Sequence, residues 1–292
     1  ARPVAAPTFR AAGWDAEVGE LLDRIAPTPE GRRAVEHIAG LVAREVAEAV
    51  PGARVRGFVG GNLMGGAAFG VAVPEVDIVV SVETEALLGR LQGRLPQSHG
   101  PGQLDTRKLQ KSAVRACTEK LVGTGAFKFR RSAFRGQEPK VTLIAPPTDG
   151  TPEQGVPVNL LVNAETPLRN STVLAKCGEI EPATLQLQLL VKRWAKDRGL
   201  SHAAKGHLPP YAWTLLTIHF LQAGSEEQGA LLPPLSGLEV SPGLRVGGTA
   251  APPGPPRREG TGVTAGALLR EFFRFYSARF DWRGGASVSV RL

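Results

Sequence analysis

The stretch that most constrains this chain is GGAAFGVAVPEVDIVV, from Gly65 to Val80. Paired glycines running into an apolar segment with few acids describe a strand entered through a tight turn. Glycine has no Cβ, so backbone N–H groups in such a turn can come close to a phosphate. Side chains alternate along the strand, so Glu75, Asp77 and Val79 share one face. The strand therefore offers a turn suited to phosphate and a face carrying acids.

Helices and strands alternate on both sides of this stretch. Val18, Leu21, Leu22 and Ile25 form one stripe of a helix over Trp14 to Ile25. Val35, Ile38, Leu41, Val42, Val46 and Val50 mark a second helix over Glu30 to Val50, ended by Pro51-Gly52. Strand patterns fall at Val73 to Val82, Phe127 to Phe134, Lys140 to Ile144 and Val156 to Val162, with helix patterns at Glu83 to Leu95 and Lys108 to Val122. This mixture predicts an α/β or α+β domain over residues 53–165. From Glu181 the pattern is helical: Ala183 to Arg198, Tyr211 to Leu221 and Ala265 to Phe280, with a short strand at Ser287 to Val290. Residues 223–262 hold a Pro/Gly-rich insert that includes APPGPP. The expected organisation is an extension over 1–13, a palm over 53–165, and a helical lobe built from 14–52 and 166–292, with the two lobes around a cleft.

Composition narrows the function classes. Hydrophobic residues make up 42% of the 292, but no apolar run approaches the roughly 18 that a membrane span needs. The net charge of +8 favours polyanionic partners, because each phosphate neutralised by Lys or Arg releases condensed counterions. Cys117 and Cys177 lack metal-ligand spacing and read as buried thiols. The first fourteen residues hold Arg2 and Arg10 and no acid, as organellar transit segments do. Residues Phe127 to Arg135, FKFRRSAFR, interleave three phenylalanines with Lys128, Arg130, Arg131 and Arg135. On a half-buried strand the phenylalanines face the core and the cations face water, as a ridge suited to RNA phosphates.

The Gly65 to Val80 stretch resembles the terminal RNA nucleotidyltransferases, the poly(A) polymerase and uridylyltransferase family within the DNA polymerase beta-like superfamily. The resemblance puts Gly65 and Gly66 at the phosphate-binding turn, Pro74 at the family proline and Asp77 at the first catalytic aspartate. Val79 then stands at the second aspartate and Asn159, in VPVNLLVN, at the third. A second register would pair Glu75 with Asp77. LLVKRWAKDRGL is similar to the family's central helix, which gives Lys192 and Lys196 a triphosphate-binding role. GHLPPYAWTLLTIHFLQ is similar to the helix whose tyrosine stacks on the base, a role that falls to Tyr211, with Pro210 in place of the phosphate-binding serine. LLREFFRFYSARFDWRGGASVSVR resembles the closing segment of the associated helical domain. The family's base-selecting loop would lie beyond Arg291.

Nucleotidyl transfer uses two Mg²⁺ ions held by carboxylates from adjacent strands. With Asp77 as the one aligned carboxylate, the resemblance implies a catalytically degenerate member with no metal or cofactor. It would be an RNA-binding or scaffold subunit, with protein partners in a ribonucleoprotein such as an organellar (mitochondrial) ribosome, and no membrane contact. The alternative is a working enzyme adding A or U to RNA 3′ ends with Mg²⁺ and ATP or UTP, with Asp77 as a metal ligand. The plain structural readings are solvated helix lysines for Lys192 and Lys196 and a core aromatic for Tyr211.

Overall fold

A computed structural model describes residues 8–64, 76–91, 106–135, 138–201, 206–224, 229–235, 262–284 and 288–290. In chain order the elements are α1 (Trp14–Ile25), α2 (Pro29–Val46), β1 (Arg54–Val59), β2 (Val76–Ser81), α3 (Thr84–Leu91), α4 (Thr106–Gly123), β3 (Lys128–Ala133) and β4 (Lys140–Ala145). They continue with β5 (Val156–Val162), α5 (Glu165–Ile180), α6 (Ala183–Asp197), α7 (Pro210–Ala223) and α8 (Ala265–Arg274), the last running into a π-helical turn at Phe275–Arg279. The chain divides into two units. One holds the described residues from 26 to 168, the other those from 8 to 25 and from 169 to 290.

The first unit is built on a five-stranded sheet of order β1-β2-β5-β4-β3. β2 and β5 are parallel, and the other neighbours are antiparallel. One face of the sheet meets the helices. Val76, Ile78 and Val80 from β2 and Val158, Leu160 and Val162 from β5 pack with Val35, Ile38 and Val42 of α2 and Leu109, Val114 and Leu121 of α4. Period-2 alternation puts Asp77, Val79, Asn159 and Leu161 on the opposite face.

α2 starts where the sequence signals a start. Thr28 is extended, its hydroxyl accepts from the Gly31 N–H at 3.0 Å, and Pro29 occupies the first turn, where a missing N–H costs nothing. The helix lies tightly on β1. A Cβ at Gly57 would come within 2.4 Å of Val35 Cγ1 and 3.0 Å of the Val35 carbonyl, so only glycine permits this approach. At its far end Lys120 of α4 bonds Glu48 at 2.7 Å, and that cation holds the Glu48 carboxyl below its usual range.

The second unit is helical. Its core joins Val18 of α1, Leu187, Leu190 and Val191 of α6, Ile218, Phe220 and Leu221 of α7, and Leu268 and Phe272 of α8. A buried hydrogen bond from Gln188 to the Thr214 hydroxyl, at 3.1 Å, fixes α6 against α7. The Tyr276 hydroxyl donates to the Leu216 carbonyl at 2.8 Å, which ties the π-helical turn to α7.

Several expectations need correction. α2 belongs with the sheet, so the grouping of 14–52 with the helical lobe holds only for α1. Its stripe from Val35 to Val46 is part of the sheet's core. α5 was not anticipated. Its only buried residues are Cys177 and Gly178, too few to print an apolar stripe. The helix expected over Ala265 to Phe280 turns π-helical at Phe275. Residues 288–290 are not a strand. The Pro/Gly-rich insert lies mostly outside the described residues.

The Phe127 to Arg135 segment also departs from a simple alternating strand. Phe127 is buried and Phe134 leans on the core, but all six residues of β3 are exposed and Phe129 is 55% exposed. β3 is an edge strand. Its register with β4 slips between Phe129 and Arg131, leaving Arg130 as a bulge that breaks the alternation of faces.

Candidate functional site

The opposite face of the sheet, away from α2 and α4, carries a polar row. The strand registers align Phe58, Asp77, Asn159, Thr142 and Arg131 in that order across all five strands. Four of them are linked by hydrogen bonds. Arg131 Nε donates to the Thr142 hydroxyl at 3.4 Å, and that hydroxyl donates to Asn159 Oδ1 at 3.1 Å. Asn159 Nδ2 then donates to Asp77 Oδ1 at 2.8 Å. A carboxylate can only accept, so its presence fixes which way the Asn159 amide points. Asn159 is only 7% exposed, which makes its two bonds worth more than they would be in water. All donors point from the cation on β3 toward the anion on β2.

The neighbouring row contains Arg56, Val79, Leu161 and Lys140. Val79 is fully buried. It forms an apolar patch with Leu161 and Ala164, covered by Phe58 and Leu168. At the end of β5, Asn163 takes a left-handed backbone conformation with φ of 47°. Its N–H bonds the Val80 carbonyl at 2.9 Å, and its side-chain amide exchanges two 2.8 Å bonds with the backbone of Val82. The side chain thus imitates one more residue of strand pairing and pins β2 to β5 beside the polar row. Among the described residues, no group of three or more His, Cys, Asp or Glu side chains could hold a metal ion.

No protein-family model matches the chain. It is 29% identical over 142 residues to poly(A) RNA polymerase GLD2-A of Xenopus laevis, covering 47% of this chain and 27% of that protein. It is 29% identical over 141 residues to poly(A) RNA polymerase GLD2 of Homo sapiens, covering 28% of it, so the chain spans little more than a quarter of these curated relatives. Terminal uridylyltransferase 1 of Trypanosoma brucei brucei is 29% identical over 124 residues, 39% of this chain and 12% of that protein. Solved structures agree over far more of the chain. A GLD-2/RNP-8 complex matches with a TM-score of 0.67 at 16% identity, over 92% of this chain and 76% of that one. An mtPAP structure in complex with ATPgammaS matches with a TM-score of 0.66 at 18% identity, over 96% of this chain and 58% of that one. The chain has the fold of these polymerase structures, and about half of it is similar in sequence to poly(A) RNA polymerases.

In this nucleotidyltransferase-fold chain, the residues that the motif resemblance put at the three carboxylate positions are brought together. Asp77 and Asn159 are paired across β2 and β5, and Val79 lies two residues along on the same face. Gly65, Gly66, Pro74 and Glu75 lie outside the described residues. Lys192 and Lys196 are half-buried on α6, and Tyr211 is 41% exposed in the first turn of α7, which rules out a core role for it. Lys128, Arg130, Arg131 and Arg135 are exposed on β3 and just after it. None of these four forms an ion pair among the described residues. Sequence reasoning missed Thr142 and Asn163. The alternation of KVTLIA offered a signal for Thr142, since a lone hydroxyl in a buried strand needs a partner.

Proposed function

We propose that this chain is a non-catalytic member of the nucleotidyltransferase group that binds RNA. One observation carries the reading: the Asp77 carboxylate is occupied by the Asn159 amide rather than faced by a second carboxylate. A two-metal centre needs several anionic oxygens converging on two cations about 4 Å apart. At the three matched positions the chain presents one carboxylate, one buried valine and one amide whose N–H points at the carboxylate. An N–H donor repels a cation, so these residues do not fit a pair of Mg²⁺ ions, and no chemical step is assigned to them. Lys192, Lys196 and Tyr211 would serve nucleotide or RNA contact without chemistry. The exposed cations Lys128, Arg130, Arg131 and Arg135 would face RNA phosphates.

The complexes named in the matched GLD-2 structures favour a subunit role, here in a ribonucleoprotein, and the mtPAP match favours an organellar one. The chain contains no helix long and apolar enough to cross a membrane among its described residues.

The deciding experiment is primer extension on a labelled RNA with each nucleoside triphosphate, in Mg²⁺ and in Mn²⁺. The expected result is no extension in any condition. Extension that Asp77→Asn or Glu75→Ala abolishes would overturn the proposal and establish the working enzyme, with the Glu75 and Asp77 register as its centre.

A further inference from the structure

We propose that the β3 edge is a platform for single-stranded RNA, on which Phe129 stacks a base while the cations around it hold the backbone. This rests on the RNA-binding reading above and gives it a substrate class and a surface.

Phe129 is a large apolar side chain left 55% exposed on a strand whose six residues are all exposed. Lys128, Arg130 and Arg131 surround it in sequence, and none has a carboxylate partner among the described residues. The cationic surface continues onto α4. Arg107, Lys111 and Arg115 fall four residues apart and so share one stripe of that helix. Arg107 donates to the carbonyls of Phe134 and Arg135, at 3.4 and 2.6 Å, and Arg115 lies over the Phe134 ring at 5.0 Å. These contacts join the stripe to the end of β3. The first turn of α4 has cations and no acid, against the direction its helix dipole favours. The surface is therefore rich in cations and has an exposed aromatic at its edge.

Two other occupants fit less well. An acidic peptide could add a strand to an open sheet edge, but the bulge at Arg130 breaks the regular spacing of N–H and C=O groups that such pairing needs. A duplex would satisfy the charges but offers no unstacked base to Phe129. A single strand uses both features, because every base has a face that can stack and every linkage has a phosphate.

The test is fluorescence anisotropy of the full chain with a labelled single-stranded oligonucleotide and with its duplex, across a salt series. The single strand is expected to bind more tightly. Phe129→Leu should weaken single-strand binding about tenfold and leave the salt slope unchanged, as loss of one stacked base does. Phe129→Trp should retain binding, with RNA quenching the new indole. Lys128→Glu with Arg130→Glu should reduce the salt slope by about 1.4, two single-strand phosphate contacts. Unchanged binding by Phe129→Leu, or equal affinity for duplex, overturns the platform and leaves RNA binding standing. An unchanged slope in the charge-reversed chain moves the RNA surface elsewhere. A wild-type chain that ignores RNA but binds poly-glutamate overturns the RNA-binding reading itself. All these residues are exposed, and matching thermal melts would show that each variant is folded.

Discussion

Replacing Asn159 with aspartate tests the polar row most directly. The change turns the Nδ2 donor, 2.8 Å from Asp77 Oδ1, into a carboxylate oxygen facing a carboxylate. At an effective dielectric constant of about 20 two charges at that distance repel by about 6 kcal/mol, and at 40 by about 3. The pair can escape by taking up one proton. For a carboxyl with an ordinary pKa near 4, that costs at most about 4 kcal/mol at pH 7. The expected destabilisation at pH 7 is therefore about 3–4 kcal/mol. The sign with pH follows from linkage. The folded pair binds its shared proton more tightly than the unfolded chain does, so the penalty is absent below about pH 4 and grows as pH rises. Mg²⁺ should recover part of the loss in the variant, whose two carboxylates can accept a cation, and should do little for the wild-type amide. Denaturant melts of both proteins, in acid and at neutral pH and with and without Mg²⁺, measure all three terms. A penalty of the same size at both pH values would refute the reasoning, because the Asn159 amide would then not be donating to Asp77. A wild-type chain stabilised by Mg²⁺ as strongly as the variant would refute it as well.

Asn163→Ala should cost about 2–4 kcal/mol, since it orphans the Val82 N–H and carbonyl and puts a Cβ-bearing residue without a compensating bond in a left-handed conformation. Asn163→Gly relieves the backbone term alone and should recover part of that loss in the same melts. The two thiols should resist alkylation in the native protein and react after denaturation. Burial pushes Cys117 up to about 12 and Cys177 to about 11, which leaves little thiolate at neutral pH. Mass spectrometry after native and denatured labelling reads this directly.

The sequence made visible what periodicity and local chemistry control. α1 and β5 fall on the predicted residues, because their apolar spacing matches one period without interruption. The neighbourhood of Asp77 and Asn159 was legible through motif resemblance alone, since nothing in periodicity says which strands lie side by side. What stayed hidden depended on tertiary context. The bulge at Arg130 has no glycine or proline to announce it, and it breaks the alternation that the FKFRRSAFR pattern suggests. α2 carries an apolar stripe that would suit either unit, and the missing side chain at Gly57 assigns it to the sheet. The left-handed turn at Asn163 uses asparagine, one of the few residues besides glycine that tolerate it, so no glycine marks the end of β5.

The polar row also changes what a mutation at Asp77 means. In a metal-dependent enzyme a catalytic carboxylate is held by the ions it binds. Here Asp77 has a structural reason to be present, because the Asn159 N–H is buried and needs an acceptor. Removing the carboxylate with Asp77→Ala orphans that donor and disturbs the chain of bonds that runs through Thr142 to Arg131. A loss of RNA binding or of any activity in that variant would then report the collapse of the row as readily as a lost ligand. Asp77→Asn keeps an acceptor oxygen for the Asn159 amide while removing the charge. A function that needs the anion fails in both variants, and a function that needs only the row survives in the second. The two substitutions together therefore separate chemistry at Asp77 from the architecture that the 2.8 Å amide bond supports.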